Sequence, residues 1–90
     1  MTILDYIPCG SENPISRREL ASLLNVPDRI VRGRIMRLRM EGYPICSTSS
    51  RAGYYMADSR DELEAFCREH ERRGSLMILT AERMRAGHAV

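Results

Sequence analysis

No stretch of the chain approaches the ~20 consecutive apolar residues that a bilayer-spanning helix needs, so no spanning helix and no membrane partner are expected. The opening MTILDYIP lacks the basic start and long apolar centre of a secretory leader, and a cytoplasmic setting is expected. Cysteine is scarce: Cys9, Cys46 and Cys67 are odd in number and widely spaced, which argues against a disulfide framework and for reduced thiols. Internal repeats and low-complexity tracts are missing. Lysine is missing altogether, since all 14 basic side chains are Arg. A bias toward Arg codons explains this as readily as a demand for bidentate hydrogen bonding, so it carries no functional weight.

Catalytic constellations are missing as well. There is no Ser/His/Asp set, no phosphate-binding Gly loop and no pair of carboxylates in an apolar setting, and neither an enzyme nor a cofactor is expected. Cys67-x-x-His70 has a ligand-like spacing, but a zinc site needs four ligands and Cys9, Cys46 and His88 are scattered without pairing. A buried Cys and a packed His on one helix are expected there, and no metal.

What is present is one domain's worth of chain, 90 residues with 43% hydrophobic and 29% charged side chains, the range of ordinary globular proteins. A domain of this size buries only about 60–65% of its unfolded surface, so each core side chain matters. The net charge of +2 is unevenly spread. Residues 14–53 hold eight Arg against Glu19, Asp28 and Glu41, whereas both flanks are slightly acidic. Positive charge gathered in mid-chain is what a nucleic-acid surface requires.

Ile3, Leu4 and Ile7 have helical spacing and predict a short first helix ended by Pro8 and Gly10. Ile15 follows Pro14 in an extended position. Ser16-Arg17-Arg18-Glu19 is a capping box, which starts a second helix with Leu20, Leu23 and Leu24 on one face. Asn25-Val26-Pro27 interrupts it. A third helix is expected with Pro27 in its first position, Asp28 on its positive end and Gly42 as its stop. On this helix Val31, Ile35 and Leu38 form one apolar stripe, opposite Arg29, Arg32, Gly33, Met36, Arg37 and Met40. Tyr43 to Ser49 and Tyr54 to Ala57 predict two strands joined at Ser50-Arg51-Ala52-Gly53, with Ile45, Tyr54 and Met56 closing the core. Ser59-Arg60-Asp61-Glu62, a second capping box, starts a fourth helix that either bends at Gly74-Ser75 or continues to about Gly87.

Helix, short strand, helix, tight turn, basic helix and hairpin is the element order of a winged helix-turn-helix, an α+β fold. The segment also resembles the winged-helix domain found at the N terminus of biotin repressors and in small bacterial and phage regulators. Leu24-Asn25-Val26, then Ile35 to Ile45 (IMRLRMEGYPI), then Gly53-Tyr54-Tyr55-Met56 carry the resemblance. Two departures are Pro27, where a polar Ser or Thr is usual, and Gly33 with Met36, where polar residues are common. The resemblance spans about residues 3–66. The expected organisation is therefore a winged-helix domain over residues 1–66, a three-helix core with a β-hairpin wing, and a C-terminal helical extension over 67–90 within the same structural unit. The ligase activity of biotin repressors is not implied, because their catalytic domain has no counterpart here.

A winged helix lays its third helix in the major groove of double-stranded DNA. Arg29, Arg32 and Arg37 are the candidates for groove contacts, Gly33 for close backbone approach, and Met36 for a thymine methyl. Met36 and Met40 equally suit an adaptable protein-binding face. Arg17 and Arg18, in the first turn of the second helix, suit phosphate. Arg34 and Arg39 flank the apolar stripe and read as solvated or internally paired. At the wing, Ser49, Ser50 and Arg51 are candidates for phosphate contact. Beyond Gly74 the near-heptad stripe Leu63, Phe66, His70, Gly74, Met77, Ala81, Met84 outruns the core, with Leu76, Ile78 and Leu79 added at its middle. Leu76, Met77, Leu79 and Met84 are expected in a homodimer seam or a partner-docking helix. The expected function is sequence-selective DNA binding by a small transcriptional regulator of bacterial or phage type. The alternative is a winged-helix interaction module in a phage replication or assembly complex.

Overall fold

Ser16 Oγ accepts the Glu19 backbone N–H at 3.0 Å and donates to the Glu19 carboxylate at 3.2 Å, so the expected box starts α1 where the sequence places it. In the computed structural model, which describes residues 2–48 and 53–87, the order is a 3-10 turn (Ile3–Tyr6), β1 (Ile15–Ser16), α1 (Arg17–Leu24), α2 (Asp28–Met40), β2 (Ile45–Ser47), β3 (Gly53–Met56) and α3 (Arg60–Gly87). This is a winged helix: three helical elements, a three-stranded antiparallel sheet in the order β1-β3-β2, and a long C-terminal helix. Among the described residues no helix is long and apolar enough to cross a membrane.

Two left-handed residues punctuate the helix-turn-helix. Asn25 has φ 54°, its N–H donates to the Ser22 carbonyl and the Val26 N–H to Ala21, which closes the end of α1. Gly42 has φ 101°, its N–H donates to Arg39 and the Tyr43 N–H to Leu38, which closes α2 in the same way. Pro27 is the N-cap of α2 rather than its first helical residue as expected. Its φ of −60° with ψ of 149° is extended backbone, and its carbonyl takes the Ile30 N–H. Asp28 is thus the first helical residue.

The core joins Ile3, Ile7, Leu20, Val31, Ile35 and Ile45, with Leu38, Tyr54 and Met56 packed half-buried against it. The α2 stripe expected from sequence is the one that faces inward. Strands β2 and β3 are shorter than expected, and Tyr43 stays exposed outside them. The hairpin is apolar on both faces. Ile45 and Met56 pair across the strands and face the helices, whereas the neighbouring pair Cys46 and Tyr55, on the other face, is also buried. The N-terminal half of α3 covers that second face, with Leu63, Phe66 and Cys67 half-buried. Burial pushes the Cys46 thiol and the Tyr55 phenol above their ordinary pKa, and the nearby Glu62 charge adds to both.

Residues 8–10 lie along the sheet: the Met56 N–H donates to the Pro8 carbonyl at 2.7 Å and the Gly10 N–H to the Met56 carbonyl at 2.8 Å. At the base of the wing Gly53 pairs with Ser16, and a Cβ at Gly53 would sit 2.9 Å from Pro14 Cβ, so no side chain fits there. Ser59 Oγ accepts the Glu62 N–H to begin α3, and Glu62 reaches back to the Asp58 N–H. The helix then runs through Gly74 without a break. At 1.5 Å per residue its 28 residues extend about 42 Å. The longest dimension of the molecule is 51 Å, so the distal half of α3 projects from the body.

Candidate nucleic-acid interface

With Val31 and Ile35 locked in the core, α2 turns its remaining faces outward. Arg29, Arg32, Gly33, Met36, Arg37 and Met40 are all exposed, Met36 at 68% and Met40 at 84%. Asp28 is the only acid in α2, and Arg29, Arg32, Arg34 and Arg37 have no ion-pair partner among the described residues. Gly33 stands in the middle of this face. Among the described residues a Cβ built on it meets nothing within 4 Å, so none of them requires glycine there. A glycine in a helix interior costs about 1 kcal/mol relative to Ala.

The face divides about its midline. Toward the hairpin, a cleft of about 360 Å³ is bordered by Arg17, Arg32, Met36, Ser47, Tyr54 and His70. On the other side, Arg37 joins Arg34 over Ile3, Leu24 and Leu38 at a second depression of about 350 Å³. Arg32 and Arg37 therefore stand at opposite edges of one exposed face. Arg17 and Arg18 border a third depression at the start of α1, with Ala21 and Asp28. Arg17 is not free, because its Nε lies 2.6 Å from Asp28 Oδ2. Ser49, Ser50 and Arg51 lie outside the described residues.

Arg39 is a strut. Its Nε donates to the Ile45 carbonyl at 2.7 Å, and its guanidinium lies 4.9 Å from the Phe66 ring centroid and 5.9 Å from that of Tyr54. It ties α2 to the hairpin and α3 together. Desolvation lowers its pKa, and its Nη2 is buried with no hydrogen-bond partner among the described residues, so the two rings supply much of its compensation. From its spacing alone Arg39 is one of two arginines flanking the apolar stripe. Its place one turn after Ile35, at the border of the stripe, was the available signal.

His70 was expected to be packed beside Cys67. It stacks on Phe66 with centroids 5.5 Å apart, yet it is exposed and reaches the edge of the α2–hairpin cleft. No heptad or motif placed an α3 residue beside the wing. Among the described residues no three His, Cys, Asp or Glu side chains gather into a metal-binding group.

The outward Arg face lies on the second helix of a helix-turn-helix, and comparison with known families agrees with this geometry. Residues 10–55, just over half of the chain, match the family described as HTH domain, from the approach to β1 through both helices to β3. No curated protein and no solved structure matches the chain. The chain belongs to the HTH domain family, helix-turn-helix DNA-binding domains, here in winged form.

Proposed function

We propose that the protein is a transcriptional regulator of bacterial or phage type that binds double-stranded DNA sequence-selectively, as two copies, with α2 in the major groove. Arg29, Arg32 and Arg37 reach base edges or the phosphates beside them, Gly33 lets the helix backbone approach the duplex, and Met36 meets a thymine methyl. Arg17 and Arg18 hold phosphate, and Ser49, Ser50 and Arg51 do so from the wing. The observation that carries this reading is the unpaired Arg face of α2 centred on a glycine that the chain's own packing does not need. A glycine there suits close approach from outside.

The test is titration of a labelled duplex with the full chain at two salt concentrations. Affinity should fall steeply with salt. Arg32→Ala and Arg37→Ala should each reduce the logarithmic salt slope by about 1, while Arg60→Ala on α3 leaves it unchanged. Absence of binding, or binding indifferent to salt, would reject the proposal. The exposure of Met36 and Met40 favours a second reading, a protein-interaction module in a replication or assembly complex. A partner retained at high salt by a chain that does not bind DNA would select it.

A further inference from the structure

We infer that the projecting half of α3 pairs antiparallel with the same segment of a second copy, through the stripe Gly74, Met77, Ala81 and Met84, with Glu71 of each chain beside Arg85 of the other. This deepens the two-copy reading above. Its test is read without DNA, so either can fail while the other stands.

The stripe begins inside the fold. Leu63, Phe66 and Cys67 are half-buried against the hairpin, and continuing at steps of three and four residues places Gly74, Met77, Ala81 and Met84 on the same side of the helix. Past the hairpin no described residue covers it: Met77 is 73% and Met84 67% exposed. Gly74 lies in mid-helix with no atom of the described residues within 4 Å of a Cβ built on it, so like Gly33 it weakens its helix with no return among them. Its absent side chain leaves room for an outside one.

Side-chain size then selects the direction. In a parallel pair, Gly74 would face Gly74 and Ala81 would face Ala81, which leaves voids, and Met77 and Met84 would crowd their own counterparts. In an antiparallel pair the small positions face the large ones, Gly74 against Met84 and Ala81 against Met77, so every layer has similar volume.

Charge selects the same direction. Glu64 and Glu69 have partners within α3, but Glu71 and Arg85 have no ion-pair partner among the described residues. The antiparallel register that matches sizes sets Glu71 beside Arg85 twice, once on each side of the two-fold axis, and brings the two Ile78 side chains together near that axis. A parallel pair would set Glu71 beside Phe66 and Arg85 beside Thr80. Of the four residues expected in an interface, this seam uses Met77 and Met84. Leu76 and Leu79 lie on the opposite side of the helix.

Sedimentation equilibrium of the full chain at roughly 100 µM should show a concentration-dependent dimer. Met77→Asp should abolish it while leaving the thermal unfolding of the monomer unchanged, because Met77 is mostly exposed in the monomer. Leu79→Asp should leave the dimer intact. Arg85→Glu should weaken it roughly fivefold or more, and adding Glu71→Arg to that variant should restore it to within about twofold. A monomeric wild-type chain, a dimer that survives Met77→Asp, or a double reversal that restores nothing would each overturn the inference.

Discussion

Arg17 Nε and Asp28 Oδ2 meet at 2.6 Å, joining the first turn of α1 to the first turn of α2 across the connection between them. The side chains remain about a third and a half exposed, so the pair stabilises the fold by less than ~1 kcal/mol. Its larger effect is on availability, since it occupies one candidate phosphate ligand with the only acid in α2. Asp28→Asn should tighten duplex binding about two- to fivefold and steepen the logarithmic salt slope by up to about 1. Fluorescence anisotropy at two ionic strengths reads both, and unchanged affinity would mean that Arg17 does not reach DNA.

Arg39 supports structure rather than contact with a ligand. Arg39→Ala leaves the Ile45 carbonyl without its donor and removes the cation from between Phe66 and Tyr54, an expected loss of about 2–3 kcal/mol. Arg39→Lys should recover less than half of it, because an ammonium lacks the planar fork. Urea denaturation measures the difference. A loss under about 0.5 kcal/mol for the alanine variant would show that the strut is dispensable.

The buried pair Cys46 and Tyr55 makes stability sensitive to alkali. Both groups hold their protons more tightly when folded, so their contribution is complete below the ordinary thiol and phenol pKa values of 9.0 and 10.0 and is lost as pH rises through the higher folded values. Melting temperature should be level from neutral pH to about 8.5 and fall above it. Tyr55→Phe should make the fall shallower, and an equally steep fall in that variant would assign it to other groups.

Two glycines should respond in opposite ways. Gly33→Ala adds a Cβ into open space on a helix, and should raise stability by about 0.5–1 kcal/mol while weakening duplex binding. Gly42→Ala forces a side chain into the left-handed region and should cost about 1 kcal/mol. Thermal melts and anisotropy on the same two proteins separate the effects. Gly33→Ala with full binding would remove the argument for close approach.

The helices were legible because their signals are local. Ser16 with Glu19, Asn25, and Gly42 each act within a few residues, and the stripe Val31, Ile35, Leu38 follows one period. What sequence did not show depends on a second layer. Cys46 and Tyr55 alternate with Ile45, Tyr54 and Met56, and a strand apolar on both faces looks like one apolar on a single face until it is known that α3 folds back over it. The arginines show the same limit. Type and spacing suggest phosphate for Arg17, the groove for Arg32 and a flanking place for Arg39, but only distance between elements shows an ion pair to Asp28, an open edge, and a strut beside Phe66.

The left-handed residues at Asn25 and Gly42 have a consequence for how this helix can change. They fix where α1 and α2 end, and three inward side chains fix the rotation of α2, so Arg29, Arg32, Gly33, Met36, Arg37 and Met40 take no part in holding that helix in place. Those six positions can be rewritten together while the fold stands, which makes the outer surface of α2 exchangeable without cost to the core. A single residue inserted between the two punctuation points would instead turn the outward set by about 100° against the stripe and lose the fold and the outward Arg face at once.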